Sequence, residues 1–149
     1  MRNQPVVPPE YVQLDVPAGD WREAIRRAAA PLVTGGAVTP SYVAAMERVM
    51  EEMGPYFVIV PGVALAHARP EEGALQPALA LSRLSEPVNF GHEDNDPVWL
   101  VMVLAGSSDE SHLGLLQQVA RFLGDTAALE RLRSAETPEE AAALANRSM

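Results

Sequence analysis

The sequence predicts an α/β protein in which helices cover both faces of a sheet, an α/β/α sandwich. Three observations lead there. The apolar patterning runs in the order strand, two helices, several strands, then helices again. The stretch Val98 to Leu104 is continuously apolar, the pattern of a central strand buried on both faces. The chain has 149 residues, 48% of them hydrophobic, which suits one domain with its own core.

The first nine residues contain three prolines and read as an extended segment. Residues 1–11 are expected to form a flexible arm and residues 12–149 the domain. Val12 to Val16 alternates and predicts a short strand, ended by Pro17 and Gly19. Asp20, with Glu23 three residues on, marks a helix start. Trp21, Ile25, Ala28, Ala29 and Leu32 recur at helical spacing. Pro31 is expected to kink or stop this helix. Thr39-Pro40 opens a second helix. Its apolar stripe is Val43, Met46, Met50 and Met53, with Glu47, Arg48, Glu51 and Glu52 off it.

Strands are predicted at Tyr56–Val60 and within Leu75–Leu84, with Val63–Ala68 a second short apolar segment between them. Pro87 and the stretch His92 to Pro97 read as loop. After Gly106, Ser111 or Asp109 can cap a helix carrying Leu113, Leu116, Ala120 and Leu123. Asp125 begins a shorter one. Thr137-Pro138-Glu139-Glu140 is a capping box that opens the last helix, Ala141 to Asn146.

Composition excludes several functions. Eleven Lys and Arg stand against 20 Asp and Glu, a net charge of −9. A nucleic-acid phosphate backbone or an anionic lipid surface needs a basic face instead. The absence of Cys removes disulfides, a thiol nucleophile and thiolate zinc sites. No apolar run approaches the roughly 20 residues of a membrane span, and Met1–Pro9 lacks a secretory apolar core. A cytoplasmic protein without direct membrane insertion is expected. No nucleotide-binding glycine fingerprint and no GxSxG elbow is present.

Histidine is then the main candidate for chemistry. His67 follows the apolar Val63–Ala66. Partial shielding there would disfavour the imidazolium, and a neutral ring nitrogen is what attack on phosphorus needs. Arg69 would share its face in an extended segment and could meet an oxyanion. The alternative is a structural histidine bonded to a backbone carbonyl, with Arg69 solvated. His112 lies in the first turn of a helix, where free amides and the helix dipole favour anions. The alternative is a surface residue helping the cap. His92 heads His92-Glu93-Asp94-Asn95-Asp96. This spacing fits neither a calcium loop nor a paired-His zinc site, so an acidic loop without metal is expected.

Two stretches, Pro61-Gly62-Val63-Ala64-Leu65-Ala66-His67-Ala68-Arg69-Pro70 and Glu86-Pro87-Val88-Asn89-Phe90-Gly91-His92-Glu93-Asp94-Asn95-Asp96-Pro97-Val98, resemble the EIIA domain of the bacterial phosphoenolpyruvate-dependent sugar phosphotransferase system. The likeness is to the mannitol/fructose type (type 2), and within it to ascorbate-specific EIIA proteins. Ser111-His112-Leu113 and Tyr42-Val43-Ala44-Ala45-Met46 also fit. The likeness runs from about Asp15 to the C-terminus.

The resemblance implies a mixed sheet between helices. It implies that His67 takes phosphate from the phosphocarrier HPr on Nε2 and gives it to a cysteine of EIIB, serving the EIIC permease indirectly. It implies a second site histidine at His112 and an arginine on the second helix, to which Arg48 is the nearest match. Arg69 is a further phosphate-stabilising candidate. No cofactor or metal is implied. The chain departs from the family at Ala66, where proline commonly precedes the active histidine. Alanine can take the same backbone conformation but holds it less tightly. A freestanding carrier is expected; the alternatives are a regulatory EIIA-like module and a non-catalytic interaction domain of the same fold.

Overall fold

A computed structural model describes residues 6–149. Its elements in chain order are β1 (Val12–Val16), α1 (Trp21–Thr34), α2 (Pro40–Met53), β2 (Val58–Val60), β3 (Val63–Ala66), β4 (Ala78–Val88), β5 (Val98–Ala105), α3 (Asp109–Gly124), α4 (Thr126–Leu132) and α5 (Pro138–Ser148). The five strands form one sheet in the order β1-β4-β5-β3-β2. β1–β4 and β3–β5 are parallel, while β4–β5 and β2–β3 are antiparallel. The sheet is therefore mixed, and β5 is its middle strand.

Side-chain alternation divides the core into two unlike halves. On one face β3, β4 and β5 present Ala64, Ala66, Ala78, Ala80, Val101, Val103 and Ala105. Small side chains let α1 and α2 fill the space with Ile25, Leu32, Tyr42 and Met46. On the other face Leu65, Leu79, Leu81, Leu100, Met102 and Leu104 meet Leu115, Val119, Phe122 and Leu132 of α3 and α4. Every residue of β5 is buried, as its unbroken apolar run requires. Among the described residues, no helix is long and apolar enough to cross a membrane.

Residues 1–5 of the expected arm lie outside the described residues. Residues 6–11 pack on the body. Val7 is buried in the large-side-chain core. The Asn146 side chain both accepts from the Val7 amide and donates to its carbonyl, each at 2.8 Å.

Several local expectations are corrected. Pro31 does not stop α1, which continues to Thr34. Proline leaves the carbonyl of Arg27 without its helical donor. The Gln13 amide supplies one at 2.7 Å, and also donates to the buried Ser82 hydroxyl at 3.0 Å. Glu47, though off the apolar stripe of α2, is buried, because Arg22 and Arg26 of α1 bond it at 2.6 and 2.7 Å. Burial pushes its carboxyl pKa up, but the two guanidiniums outweigh this and hold it below the ordinary carboxylate value. Only Val58–Val60 of the Tyr56–Val60 segment is strand, and Pro87 lies inside β4. The cap of α3 is Ser108, in a reciprocal box with Ser111. α4 ends on carbonyls taken up by Arg83 of β4, whose guanidinium donates to Leu132, Arg133 and Ala135 at 2.7–3.1 Å.

Replacing Gln13 by Leu is expected to lower stability by about 1–2 kcal/mol, the cost of leaving paired backbone and hydroxyl groups unmet. A lower urea midpoint at unchanged slope would register it. An unchanged midpoint would mean that solvent serves the Arg27 carbonyl equally well.

Candidate phosphoryl-transfer site

The site grows from the end of the β3–β5 ladder. Parallel pairing runs Val63↔Leu100 to Ala66↔Val103. By alternation His67 follows Val63 and Leu65 toward the face covered by α3, while Ala68 turns to the face covered by α2. α3 begins four residues after β5 ends, and it brings His112 to His67. The two ring centroids lie 5.6 Å apart at 60°. Gly106, in the connection between β5 and α3, makes this approach possible: a Cβ there would lie 2.5 Å from the His112 Cα.

Phe57 supports the other side of the His67 ring, with centroids 5.3 Å apart. The Phe57 carbonyl accepts from the Leu65 amide at 2.8 Å, which locks the aromatic residue to β3. Tyr56 lies 6.1 Å from His67, centroid to centroid. Nδ1 of His67 is 3.0 Å from the Leu65 carbonyl oxygen. A carbonyl can only accept, so Nδ1 carries the proton and Nε2 holds the free lone pair of the neutral ring. Burial lowers the His67 pKa below the ordinary 6.5; the Leu65 bond opposes this and the neighbouring His112 adds to it. The two readings of His67, nucleophile or carbonyl-bonded structural residue, are thus compatible. The carbonyl bond selects the tautomer that a nucleophile at Nε2 requires.

Around the rings lies a cleft of about 460 Å³. Ala68, Arg69 and Pro70 line one side, Asp109 and His112 another, and Val49, Met53 and Tyr56 a third. Met53 and Tyr56 are 64% and 58% exposed at its rim, and Leu113 beside His112 is 58% exposed. His112 Nδ1 is buried without a hydrogen-bond partner among the described residues. The first two amides of α3, those of Asp109 and Glu110, lie too early in the helix to have intrahelical acceptors.

The structure brings together His67, His112 and Arg69, all lining the cleft. It does not bring Arg48 there. Arg48 lies on α2 beside the cleft-lining Val49, but its guanidinium bonds Glu72 at 3.1 Å. Glu72 belongs to the short 3-10 turn Pro70–Glu72 that follows Arg69, so Arg48 ties α2 to that turn. His92 is elsewhere too, in the loop beside Gly62, at the opposite end of β3 from His67. Its Nδ1 accepts from the amides of Asp94 and Asn95 at 3.1 and 3.0 Å. The Asp96 carboxylate accepts from Phe90, Gly91 and His92. That motif is a self-capped loop whose Asn95 carbonyl accepts from Gly62. Among the described residues, no three His, Asp or Glu side chains are grouped to hold a metal ion.

Sequence reasoning missed Phe57, Tyr56, Met53 and Asp109. Tyr56 and Phe57 read as strand because their β propensity is high. Met53 read as core because it falls on the apolar stripe of α2.

Comparison with known proteins identifies the family of this fold. The family model for the phosphoenolpyruvate-dependent sugar phosphotransferase system, EIIA 2, matches residues 5–147. The ascorbate-specific PTS system EIIA component of Salmonella typhimurium is 36% identical over 138 residues, covering 92% of this chain and 90% of that protein. The solution structure of the mannitol-specific cryptic phosphotransferase enzyme IIA of Escherichia coli superposes with a TM-score of 0.86 at 31% identity, over 95% of this chain and 96% of that one. The mannitol enzyme IIA of Escherichia coli, solved in complex with phosphorylated enzyme IIB, gives 0.79 at 30% identity over 91% and 94%. With its mixed sheet and a match spanning nearly its whole length, the chain belongs to the type 2 EIIA family of the phosphoenolpyruvate-dependent sugar phosphotransferase system.

Proposed function

We propose that His67 is a phosphoryl carrier, accepting phosphate from HPr on Nε2 and passing it to a cysteine thiolate of an EIIB protein, in the cytoplasm, for an EIIC permease of ascorbate-type carbohydrate. The observation that carries this reading is the 3.0 Å contact of Nδ1 with the Leu65 carbonyl, which leaves Nε2 as the free nucleophile of a cleft-lining ring. The EIIB partner is supported by the enzyme IIA relative solved with phosphorylated enzyme IIB. The substrate class is supported by the ascorbate-specific relatives.

The transfer needs no acid, base or metal. As the P–N bond forms at Nε2, the bond from phosphorus to the donor breaks, and Nδ1 keeps its proton. The phosphorylated ring is then formally cationic. Its Nδ1–H bond to Leu65 becomes charge-assisted and stronger. When the EIIB thiolate attacks phosphorus in line, the P–N electron pair returns to Nε2 and the neutral ring is regenerated. Placement and charge stabilisation do the rest. The amides of Asp109 and Glu110 at the start of α3 are the donors for the phosphoryl oxygens, with the His112 ring and Arg69 beside them. Arg48 acts through Glu72 on the turn after Arg69.

Incubation with phosphoenolpyruvate, enzyme I and HPr is expected to add one acid-labile phosphoryl group by intact mass, and none in His67→Ala. No uptake from a competent HPr would overturn the assignment. His112→Ala is expected to slow uptake by roughly 100-fold, the order of a lost transition-state donor. An unchanged rate would remove His112 from the site.

The His67 pKa sets a pH dependence. The NMR titration of this ring is expected to have its midpoint below 6.5 with the Nδ1–H tautomer dominant, and uptake is expected to fall only as pH drops through that lowered midpoint. Between the two values the unfolded chain binds a proton that the folded ring refuses, so stability falls as pH falls through the same window. A midpoint above 6.5 would contradict the burial argument.

A further inference from the structure

We infer that Tyr42 is a positioning residue for phosphoryl transfer, its hydroxyl fixing the gap between the ends of β3 and β5 and so the spacing of His67 and His112. The inference rests on the carrier reading of His67 and adds a residue that does not touch the cleft.

Ladder pairing between β3 and β5 ends at Ala66↔Val103. Beyond this point one chain carries His67 into the cleft and the other runs on toward His112. The Tyr42 hydroxyl sits in the opening. It accepts from the Ala68 amide at 3.0 Å and lies 2.8 Å from the Leu104 carbonyl oxygen. The Ala68 carbonyl, at 3.1 Å, is the other acceptor within reach. One O–H can serve only one of them at a time, and the shorter contact crosses the gap to β5. A side chain from α2 thus supplies the rung that the two backbones no longer make directly.

Both ends of that rung lead to a histidine. Ala68 follows His67 directly. Leu104 precedes Gly106 by two residues, and Gly106 abuts the His112 backbone so closely that it has no room for a Cβ. Tyr42 itself is fully buried and Ala68 nearly so, so these polar groups are met by one another and not by bulk water. Burial pushes the Tyr42 pKa up to about 12, which keeps the hydroxyl a donor throughout the working pH range. Removing it strands a buried N–H and a buried C=O, and they can find water only if the two strand ends move apart.

The test is Tyr42→Phe, which keeps the ring in the core. Single-turnover uptake from phospho-HPr is expected to slow by roughly 10- to 100-fold, as for a displacement of about 1 Å at a reacting centre, with the half-saturating HPr concentration unchanged. In the unphosphorylated protein, the NMR contact between the His67 and His112 rings is expected to weaken, and the His67 midpoint to move toward 6.5. Leu132→Ala, in the opposite core, controls for stability and is expected to leave uptake intact. Should Tyr42→Phe populate unfolded chain, the rate is read in trimethylamine N-oxide, which favours the compact state. Wild-type uptake by Tyr42→Phe, or an equal loss in Leu132→Ala, overturns the inference. If the wild-type chain takes no phosphate, the carrier reading fails, and with it the catalytic part of this inference. The ring contact then still decides the geometric part, which an unchanged His67 environment in Tyr42→Phe overturns.

Discussion

Four rungs of parallel pairing between β3 and β5 decide where the cleft can be. Parallel strands run in the same direction and end at the same edge of the sheet, so the segments leaving them emerge side by side. One becomes the His67 segment and the other the connection to α3. Alternation then sends His67 toward α3 and Ala68 toward α2. A single slip of register would exchange those faces, turning His67 into the alanine-lined core and leaving His112 without its neighbour. Register is secured by the inequality of the two halves, since the leucines of β3–β5 cannot fit where Ile25, Tyr42 and Met46 already fill the space above the alanines.

The electrostatics of the cleft favour fixed dipoles over side-chain charges. Arg69 and Asp109 oppose each other in sign, and both are exposed. Exposed charges are screened by solvent and contribute little net energy. Backbone amides at the start of α3 and the ring N–H groups are held by the helix, the capping box and the strand end. Such groups need no reorganisation when charge arrives. A net charge of −9 is compatible with the proposed transfer, because the donors proposed for it are dipoles that the overall charge does not remove. The exposed Met53, Tyr56 and Leu113 add an apolar rim, the surface a transient protein partner can cover.

Features with a short-range signature were legible in the sequence. The central strand, the ends of α1, α4 and α5 marked by Asp20, Asp125 and Thr137, and the segment around His67 all depend on neighbours within a few residues. The meeting of His67 and His112 was legible only through family resemblance, since 45 positions separate them in the chain. Long-range compensation was not legible at all. Pro31 is tolerated because Gln13, from strand β1, reaches the carbonyl that proline orphans. Glu47 is buried because two arginines of α1 face it. Arg48 has the chemistry of an anion ligand, but the turn after Arg69 places Glu72 against it. Each outcome turns on a partner that helical or strand periodicity cannot specify.

Ala66 brings these strands together. Where the family commonly holds proline, this chain has a residue that restricts the backbone less. Ala66 is fully buried and forms the last rung of the β3–β5 ladder. Its small side chain packs in the alanine-lined core beneath α1 and α2. Restraint on the residue before His67 therefore comes from pairing and packing, and restraint on the residue after it from the Tyr42 hydroxyl. A backbone held on both sides by tertiary contacts has little freedom left for a proline ring to remove. His67 can be held by its surroundings as firmly as by its sequence, provided that α2 stays seated against α1 through Glu47.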